Sequence, residues 1–186
     1  MTVVLRPGQS APGPALLLRP CDTQDISQLL TIYRDPVMRQ SSRNPVVTEQ
    51  DAYRWLEVQQ QGWADGGRLS FAVLDGEPGS EPGRVLGNVV LKGCRAGSRV
   101  AEVGYWTAVA ARNRGVASQV VKTLTAWAFG SFDAQGLQRV ELLHQQGNLA
   151  SCRVAQRSGY ALIDVLPADP PAFPAAGHLH ARYSLG

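Results

Sequence analysis

A short run of arginines and small residues, Arg112-Asn113-Arg114-Gly115-Val116-Ala117, separates two regular patterns in the chain. A strand-like apolar segment precedes it, and an amphipathic helix pattern follows it. The first turn of a helix has unpaired backbone N–H groups and a partial positive charge, which suits phosphate binding. Gly115 and Ala117 leave the backbone accessible, and two arginines add positive charge. The run therefore predicts a phosphate-binding turn, with an ordinary loop entering a helix as the alternative.

Two common nucleotide-binding motifs are excluded at this turn. No Gly-Lys-Ser/Thr follows it, so it is not a Walker loop. The G-x-G-x-x-G pattern is also absent, and no acidic residue follows at the distance of a dinucleotide fingerprint. We therefore expect a helix N-terminus that binds a pyrophosphate by other means.

Composition and charge narrow the class of protein. The 186 residues, with 44% hydrophobic and 18% charged, predict a single domain over 15–186 preceded by a flexible tail over 1–14. The net charge of +3 is too small to indicate nucleic-acid binding. No apolar run approaches the roughly 18 residues of a membrane span, and no signal-peptide pattern is present. The three cysteines lack C-x-x-C spacing, so we expect free thiols in a reducing cytoplasm.

Periodicity and turn residues predict the order β-α-α-β-β-β-α-β-α-β-β. Thr48 and Asp51 resemble a capping box that opens the second helix, whereas Pro36 is expected to interrupt the first. Gly130 is expected to cap the helix that follows the phosphate-binding turn. The fold class is α/β (α+β), with a mixed sheet of about six or seven strands and about four helices on both faces.

The phosphate-binding turn and five further motifs resemble the GNAT superfamily of acetyl-CoA-dependent N-acetyltransferases. The turn matches its signature Gln/Arg-x-x-Gly-x-Gly/Ala, and the remaining motifs are similar to the RimJ/RimL-type branch, which includes enzymes that acetylate the N-termini of ribosomal proteins. The motifs are Glu102-Val-Gly-Tyr-Trp106, Trp127-Ala-Phe129, Arg139-Val-Glu-Leu142, Asn148-x-x-Ser151 and Ser158-Gly159-Tyr160. The match covers roughly residues 15–185 and implies a GNAT fold whose sheet is splayed between the fourth and fifth strands.

The resemblance assigns the coenzyme contacts. Backbone N–H groups from Arg114 to Ala117 should bind the pyrophosphate of acetyl-CoA, and the strand end at 106–108 should pair with the pantetheine arm. Asn148 should hydrogen-bond the pantetheine, or act as a plain helix cap, or do both. The complete predicted coenzyme set is Trp106, Thr107, Ala108, Arg112, Asn113, Arg114, Gly115, Val116, Ala117, Ser118, Asn148 and Ser151.

Acetyl transfer to an amine requires a base for the amine and a proton for the departing thiolate. The resemblance points to Glu102 as the base, with a salt-bridged strand carboxylate as the alternative. Many family members have a tyrosine seven residues after the asparagine, but here that position is Ala155. Ser151 is the matching polar group in the RimL-like branch, so it is either the proton donor or a helix-surface hydroxyl.

Other reactive side chains receive no role. Cys152 is expected to pack inward, so we expect no acetyl-cysteine intermediate. His178 and His180 are two positions apart with no third ligand apparent, so no metal site is expected. His144 is expected to be a core or rim residue.

The combined prediction is a cytoplasmic N-acetyltransferase in which a substrate amine attacks acetyl-CoA directly in a ternary complex. The acceptor is expected to be a protein or peptide N-terminal amine, bound between the first two helices (about 22–64) and the loop before His178. A small-molecule amine such as an amino sugar, polyamine or amino acid is the first alternative. A non-catalytic acyl-CoA-binding sensor is the second, prompted by Ala155. Acyl-chain preference and the choice between monomer and homodimer stay open.

Overall fold

The computed structural model describes residues 3–8, 13–42, 44–76, 83–171 and 174–184, except for the side chain at 41. The helices in these residues are α1 (Ile26–Ile32), α2 (Pro36–Ser41), α3 (Glu49–Asp65), α4 (Val116–Phe132) and α5 (Leu149–Arg157). The strands are β1 (Leu16–Pro20), β2 (Arg68–Asp75), β3 (Val85–Lys92), β4 (Val100–Thr107), β5 (Arg139–Gln145), β6 (Ala161–Leu166) and β7 (Gly177–Tyr183).

One mixed sheet organises the described residues. Its seven strands follow the order β1-β2-β3-β4-β5-β7-β6. Neighbouring strands are antiparallel except for β4 and β5, which are parallel and connected through α4. This arrangement confirms the predicted mixed sheet, with five helices in the described part of the chain where about four were expected.

The helices cover both faces of the sheet because its central strands are apolar on both sides. On β2, Phe71 and Val73 contribute to the cluster that contains α4 and α5, which we call the α4/α5 face. The alternate residues Ala72 and Leu74 contribute to the cluster that contains α1 and α3, which we call the α1/α3 face. Side chains alternate between the faces along a strand, so each residue of β4 is assigned to one of them.

Local helix signals are confirmed in one case and corrected in two. The Thr48 hydroxyl accepts from the Asp51 N–H at 3.1 Å, and the Asp51 carboxylate accepts from the Thr48 N–H at 2.9 Å, which is the predicted capping box. Pro36 does not simply end a helix: it is the first residue of α2, where its missing N–H costs nothing. The expectation for Gly130 was also wrong, because α4 continues to Phe132.

Two further expectations concern the ends of the chain and the membrane. Leu5, in the predicted tail, pairs through its backbone with Leu18 at 2.9 Å, so part of this segment contacts the sheet. The flexibility of the tail stays a prediction. Across the described residues, no helix has both the length and the apolar character that crossing a bilayer requires.

Candidate active site: a fork between two parallel strands

The parallel strands β4 and β5 pair for only three residues and then separate. The paired positions are Val100 with Arg139, Ala101 with Val140 and Glu102 with Glu141. Beyond Glu102, β4 continues to Thr107 along β3, and β5 continues to Gln145 along β7. The separation opens a cleft with an unpaired strand edge on each side, which can hydrogen-bond an extended ligand. The predicted splay between the fourth and fifth strands is confirmed.

The direction of the backbone groups in β4 determines which of them face this cleft. The Ala108 N–H donates to the carbonyl of Leu86 on β3 at 2.8 Å, so the backbone groups of Ala108 point toward β3. In an antiparallel pair such bonds come from alternate residues. The backbone groups of Trp106 therefore also point toward β3, whereas those of Tyr105 and Thr107 point into the cleft. Of the three strand residues predicted to contact the pantetheine arm, Thr107 is the one whose backbone groups point into the cleft.

The predicted phosphate-binding turn has the backbone shape of an anion site. Asn113 and Gly115 have φ angles of 60° and 79°, both left-handed. Gly115 is the N-cap of α4, and no side chain caps this helix end. A Cβ placed on Gly115 would meet no atom within 4 Å, so the space in front of the turn is open. The first-turn N–H groups of Val116, Ala117 and Ser118 therefore form a donor set that suits a pyrophosphate.

One of the two arginines at this turn already has a partner. The Arg112 guanidinium forms a short ion pair with Asp35, the N-cap residue of α2. Burial alone would raise the pKa of Asp35, but the hydrogen bonds from Arg112 and from the Val37 N–H outweigh it and lower that pKa. Arg114 is exposed beside the turn. Arg112 therefore ties the turn to α2, and Arg114 is the arginine that faces solvent.

The other wall of the cleft is the start of α5. The Asn148 side-chain oxygen accepts from the Ser151 N–H at 3.0 Å, so the capping role of Asn148 is confirmed. The Ser151 hydroxyl accepts from the Tyr105 hydroxyl at 3.0 Å. Burial raises the pKa of Tyr105, and the contact with Ser151 partly opposes that shift. This contact joins the two walls of the cleft on the α4/α5 face.

Glu102 lies at the branch point of the fork, on the opposite face of β4 from Tyr105. Its carboxylate forms a short ion pair with Lys92, directly across on β3. Its neighbour on β5, Glu141, is paired separately with Arg139 at 2.7 Å. The salt-bridged alternative for Glu102 is thus present, and the side chain stays 42% exposed, so it is also open to a proton relay.

Comparison with known proteins identifies the family. A model of the acetyltransferase (GNAT) domain matches residues 15–161, most of the chain. This chain belongs to the GNAT acetyltransferases. It is therefore an acyltransferase, and its coenzyme is acetyl-CoA. No curated protein matches the sequence.

Several solved structures share the fold of this GNAT enzyme at low identity. RimL, a ribosomal alpha-N-protein acetyltransferase in complex with coenzyme A, is 17% identical over 96% of this chain and 97% of its own, with a TM-score of 0.78. Mycobacterium smegmatis RimJ is 18% identical over 98% and 87%, with a TM-score of 0.77. A microcin self-immunity acetyltransferase, in complex with acetyl-CoA and AMP, is 14% identical over 94% and 98%, with a TM-score of 0.76. At the level of the fold, the resemblance to the RimJ/RimL type is confirmed.

Sequence reasoning about this GNAT enzyme missed two groupings. Tyr105 was not assigned a role, although it reaches Ser151. The view that His178 and His180 lack further ligands was wrong: His144 and Cys152 lie beside them, with ligand atoms all within 4.8 Å. Burial lowers the pKa of His180 and the two other histidines lower it further, while the Tyr160 backbone acts in the opposite direction. The spacing of two positions between His178 and His180 already indicated that they lie on one face of their strand. Which residues of β5 and α5 lie beside them depends on strand register.

Proposed function

We propose that this enzyme acetylates a primary amine, with the N-terminal amine of a protein or peptide as its acceptor, by direct attack in a ternary complex. The observation that carries the proposal is the fork: the Tyr105–Ser151 contact lies on one face and Glu102 on the other. An acceptor and the coenzyme can therefore approach the gap between β4 and β5 from opposite sides.

The coenzyme is proposed to lie along the β4 edge with its phosphates at the start of α4. The N–H groups of Val116, Ala117 and Ser118 would bind the pyrophosphate, with Arg114 adding charge. The backbone groups of Tyr105 and Thr107 would pair with the pantetheine arm in place of a strand. Asn148 uses its side-chain oxygen as a cap, so its amide N–H₂ is the group proposed for the pantetheine contact.

The chemistry divides between the two faces. When bound, acetyl-CoA supplies the thioester from which the acetyl group is transferred. Glu102 is proposed to accept the proton of the attacking amine, directly or through water, as the new C–N bond forms. Ser151 is proposed to give its hydroxyl proton to the departing sulfur as the C–S bond breaks, and the Tyr105 hydroxyl can resupply it along the observed hydrogen bond. Ala155 takes no part in proton transfer.

The acceptor is proposed to bind on the α1/α3 face. A cavity of about 540 Å³ there is lined by seven residues between 23 and 34, among them Leu30 and Arg34, and by Glu49 and Tyr53 at the start of α3. It lies within the segment predicted to form the acceptor groove. A cavity of about 620 Å³ lies at the other end of α3, beside Arg68 and Gly93, and neither cavity is lined by the proposed catalytic residues. The protein N-terminal acceptor is supported by the likeness to RimL and RimJ, and a small-molecule amine is the alternative.

Glu102→Gln tests the proposed base, and Glu141→Gln is its matched control. Both changes remove a carboxylate that has its own basic partner, on adjacent strands at the same branch point. Loss of a general base should lower kcat by about 100-fold or more and alter the pH profile. Loss of the partly exposed Glu141 ion pair should change kcat by less than about fivefold. Full turnover of Glu102→Gln at every pH would exclude the base assignment.

A panel of acceptors tests catalysis and acceptor class together. Release of free coenzyme A thiol from acetyl-CoA would be measured with N-terminal peptides, polyamines, amino sugars and amino acids. Faster release with peptides would support the proposed acceptor, and faster release with the small amines would replace it. Tight acetyl-CoA binding without release for any amine would favour the sensor alternative.

The three cysteines are free thiols, which supports a proposed cytoplasmic location.

A further inference from the structure

All three histidines of the chain meet at one place in the fold. His178 and His180 lie two apart on β7, so they face the same side of the sheet. His144, near the end of β5, is directly opposite His178, and Leu142 is opposite His180. Cys152 of α5 lies beside this group, with its sulfur 4.0 Å from Nε2 of His180. Three imidazoles and one thiol thus converge between α5 and the β5–β7 pair.

The spacing of these side chains approaches that of a tetrahedral metal site. One ligand atom from each residue lies within 4.8 Å of the others, and Nε2 of His144 is 3.2 Å from Nε2 of His180. Zinc bonds of about 2.0–2.1 Å to nitrogen and about 2.3 Å to sulfur require separations of about 3.4 Å between nitrogens and about 3.6 Å from nitrogen to sulfur. The His144–His180 and His180–Cys152 separations are within about 0.4 Å of those values, and the remaining ligand atoms lie within 4.8 Å of one another, so the side chains must approach by no more than about 1.4 Å to bind zinc.

The hydrogen bonds around the cluster leave nitrogens for a ligand. Nδ1 of His144 is 2.8 Å from the Gln145 carbonyl, which fixes that nitrogen as the donor and leaves Nε2 with its lone pair. A backbone carbonyl in this position is the usual support for a metal-binding imidazole. Nδ1 of His178 is buried without a hydrogen-bond partner among the described residues, and Nε2 of His180 is the nitrogen that faces His144 and Cys152. Unsatisfied buried nitrogens are unfavourable unless a further ligand is bound.

We propose that His144, Cys152, His178 and His180 form a zinc site. A donor set of three imidazoles and one thiolate matches the borderline-soft character of Zn²⁺, and the thiol proton leaves when the sulfur binds. Four protein ligands fill a tetrahedral shell, so the ion has a structural role. It would clamp α5 onto β5 and β7 and so hold the helix that begins with the Asn148 cap and carries Ser151. The proposal concerns metal binding alone and does not depend on which amine is acetylated.

Metal titration of the full chain tests the site. The protein would be purified with a tag that contains no histidine, stripped with a chelator, and titrated with Zn²⁺ against a chromogenic competitor. We expect about one zinc per chain and a higher Tm with zinc than without. Co²⁺ in the same site should give strong visible bands of tetrahedral geometry together with a thiolate-to-metal charge-transfer band.

Variants separate this site from nonspecific binding. His180→Ala should weaken zinc binding by more than about 100-fold, since it removes a direct ligand. Cys152→Ser should abolish the charge-transfer band of the Co²⁺ form. Cys94→Ser is the matched control, because Cys94 is a buried free thiol in the cluster that contains α4 and α5 and lies outside the proposed site. It should retain the stoichiometry and the spectrum.

Three results would overturn the proposal. The first is zinc binding no stronger in the wild-type chain than in His180→Ala. The second is a Co²⁺ spectrum without the thiolate band. The third is equal zinc affinity in wild type and Cys152→Ser. Circular dichroism on the chelator-treated variants establishes that each compared protein is folded.

Discussion

Replacing Gly115 by alanine tests the phosphate-binding turn, because the change has two effects that can be measured separately. The φ of 79° at Gly115 is left-handed, and a side chain in this conformation costs roughly 1–2 kcal/mol. The new Cβ would meet no protein atom within 4 Å, so packing adds nothing to that cost. For a chain of this size, such a loss lowers Tm by about 2–8 °C.

The second effect is on coenzyme affinity. The added methyl would project into the open space where the pyrophosphate is proposed to lie. Crowding a closely packed contact by one methyl costs about 1–3 kcal/mol, which corresponds to a loss of about 5- to 150-fold in Kd. Calorimetric titration of coenzyme A below Tm would measure this change.

Gly136→Ala is the matched control for this experiment. Gly136 has a φ of 87°, and a Cβ there also meets no atom within 4 Å, but it lies after α4 rather than before it. Both variants should lose similar stability, and only Gly115→Ala should lose coenzyme affinity. Equal coenzyme affinity for Gly115→Ala and wild type would refute the placement of the phosphates. A difference in stability loss above about 1 kcal/mol would refute the strain argument.

Three further predictions follow from named contacts. Tyr105→Phe removes a single hydrogen bond to Ser151, so kcat should fall about fivefold with little change in the acetyl-CoA KM; an unchanged kcat in steady-state kinetics would exclude a role for this contact. Burial raises the pKa of Cys21 to about 12, so thiol reagents at neutral pH should modify it only after unfolding, and peptide mapping of the labelled native chain would detect any exception. Burial raises the pKa of Tyr160 to about 12 from an unfolded value of about 10, so the neutral form is favoured in the fold. This contribution to the free energy of unfolding is complete below about pH 10 and is lost toward pH 12. Denaturation across this pH range should therefore show a fall of up to about 2–3 kcal/mol in the free energy of unfolding, and Tyr160→Phe should lack this fall.

Much of the fold could be predicted because its signals are local. The alternation in the strands, the stripe on α4 and the Thr48–Asp51 capping box all depend on residues within one or two turns of each other. The errors have the same origin. Pro36 resembles a helix breaker until the Asp35 cap shows that a new helix begins there. Gly130 resembles a helix end, but continued packing of α4 on the sheet extends the helix past it.

The candidate site could be predicted only in part, for a related reason. The turn at Gly115 and the cap at Asn148 are short patterns, and both were found from the sequence. The partners of these residues come from elsewhere: Asp35 binds Arg112 across 77 positions, and Tyr105 reaches Ser151 across 46. Local periodicity carries no information about such pairs, because they depend on how whole elements pack.

The sequence by itself determined the order of the elements except for α2, the position of Gly115 at the start of α4 and the family to which the chain belongs. These follow from nearest-neighbour backbone preferences and from motifs of a few residues. Only the tertiary structure decided where β4 leaves β5, which backbone groups of β4 face the gap, and that the three histidines share one cluster. Strand register controls all three, because a shift of one residue reverses the face of every side chain, and register is determined by the packing of the whole sheet.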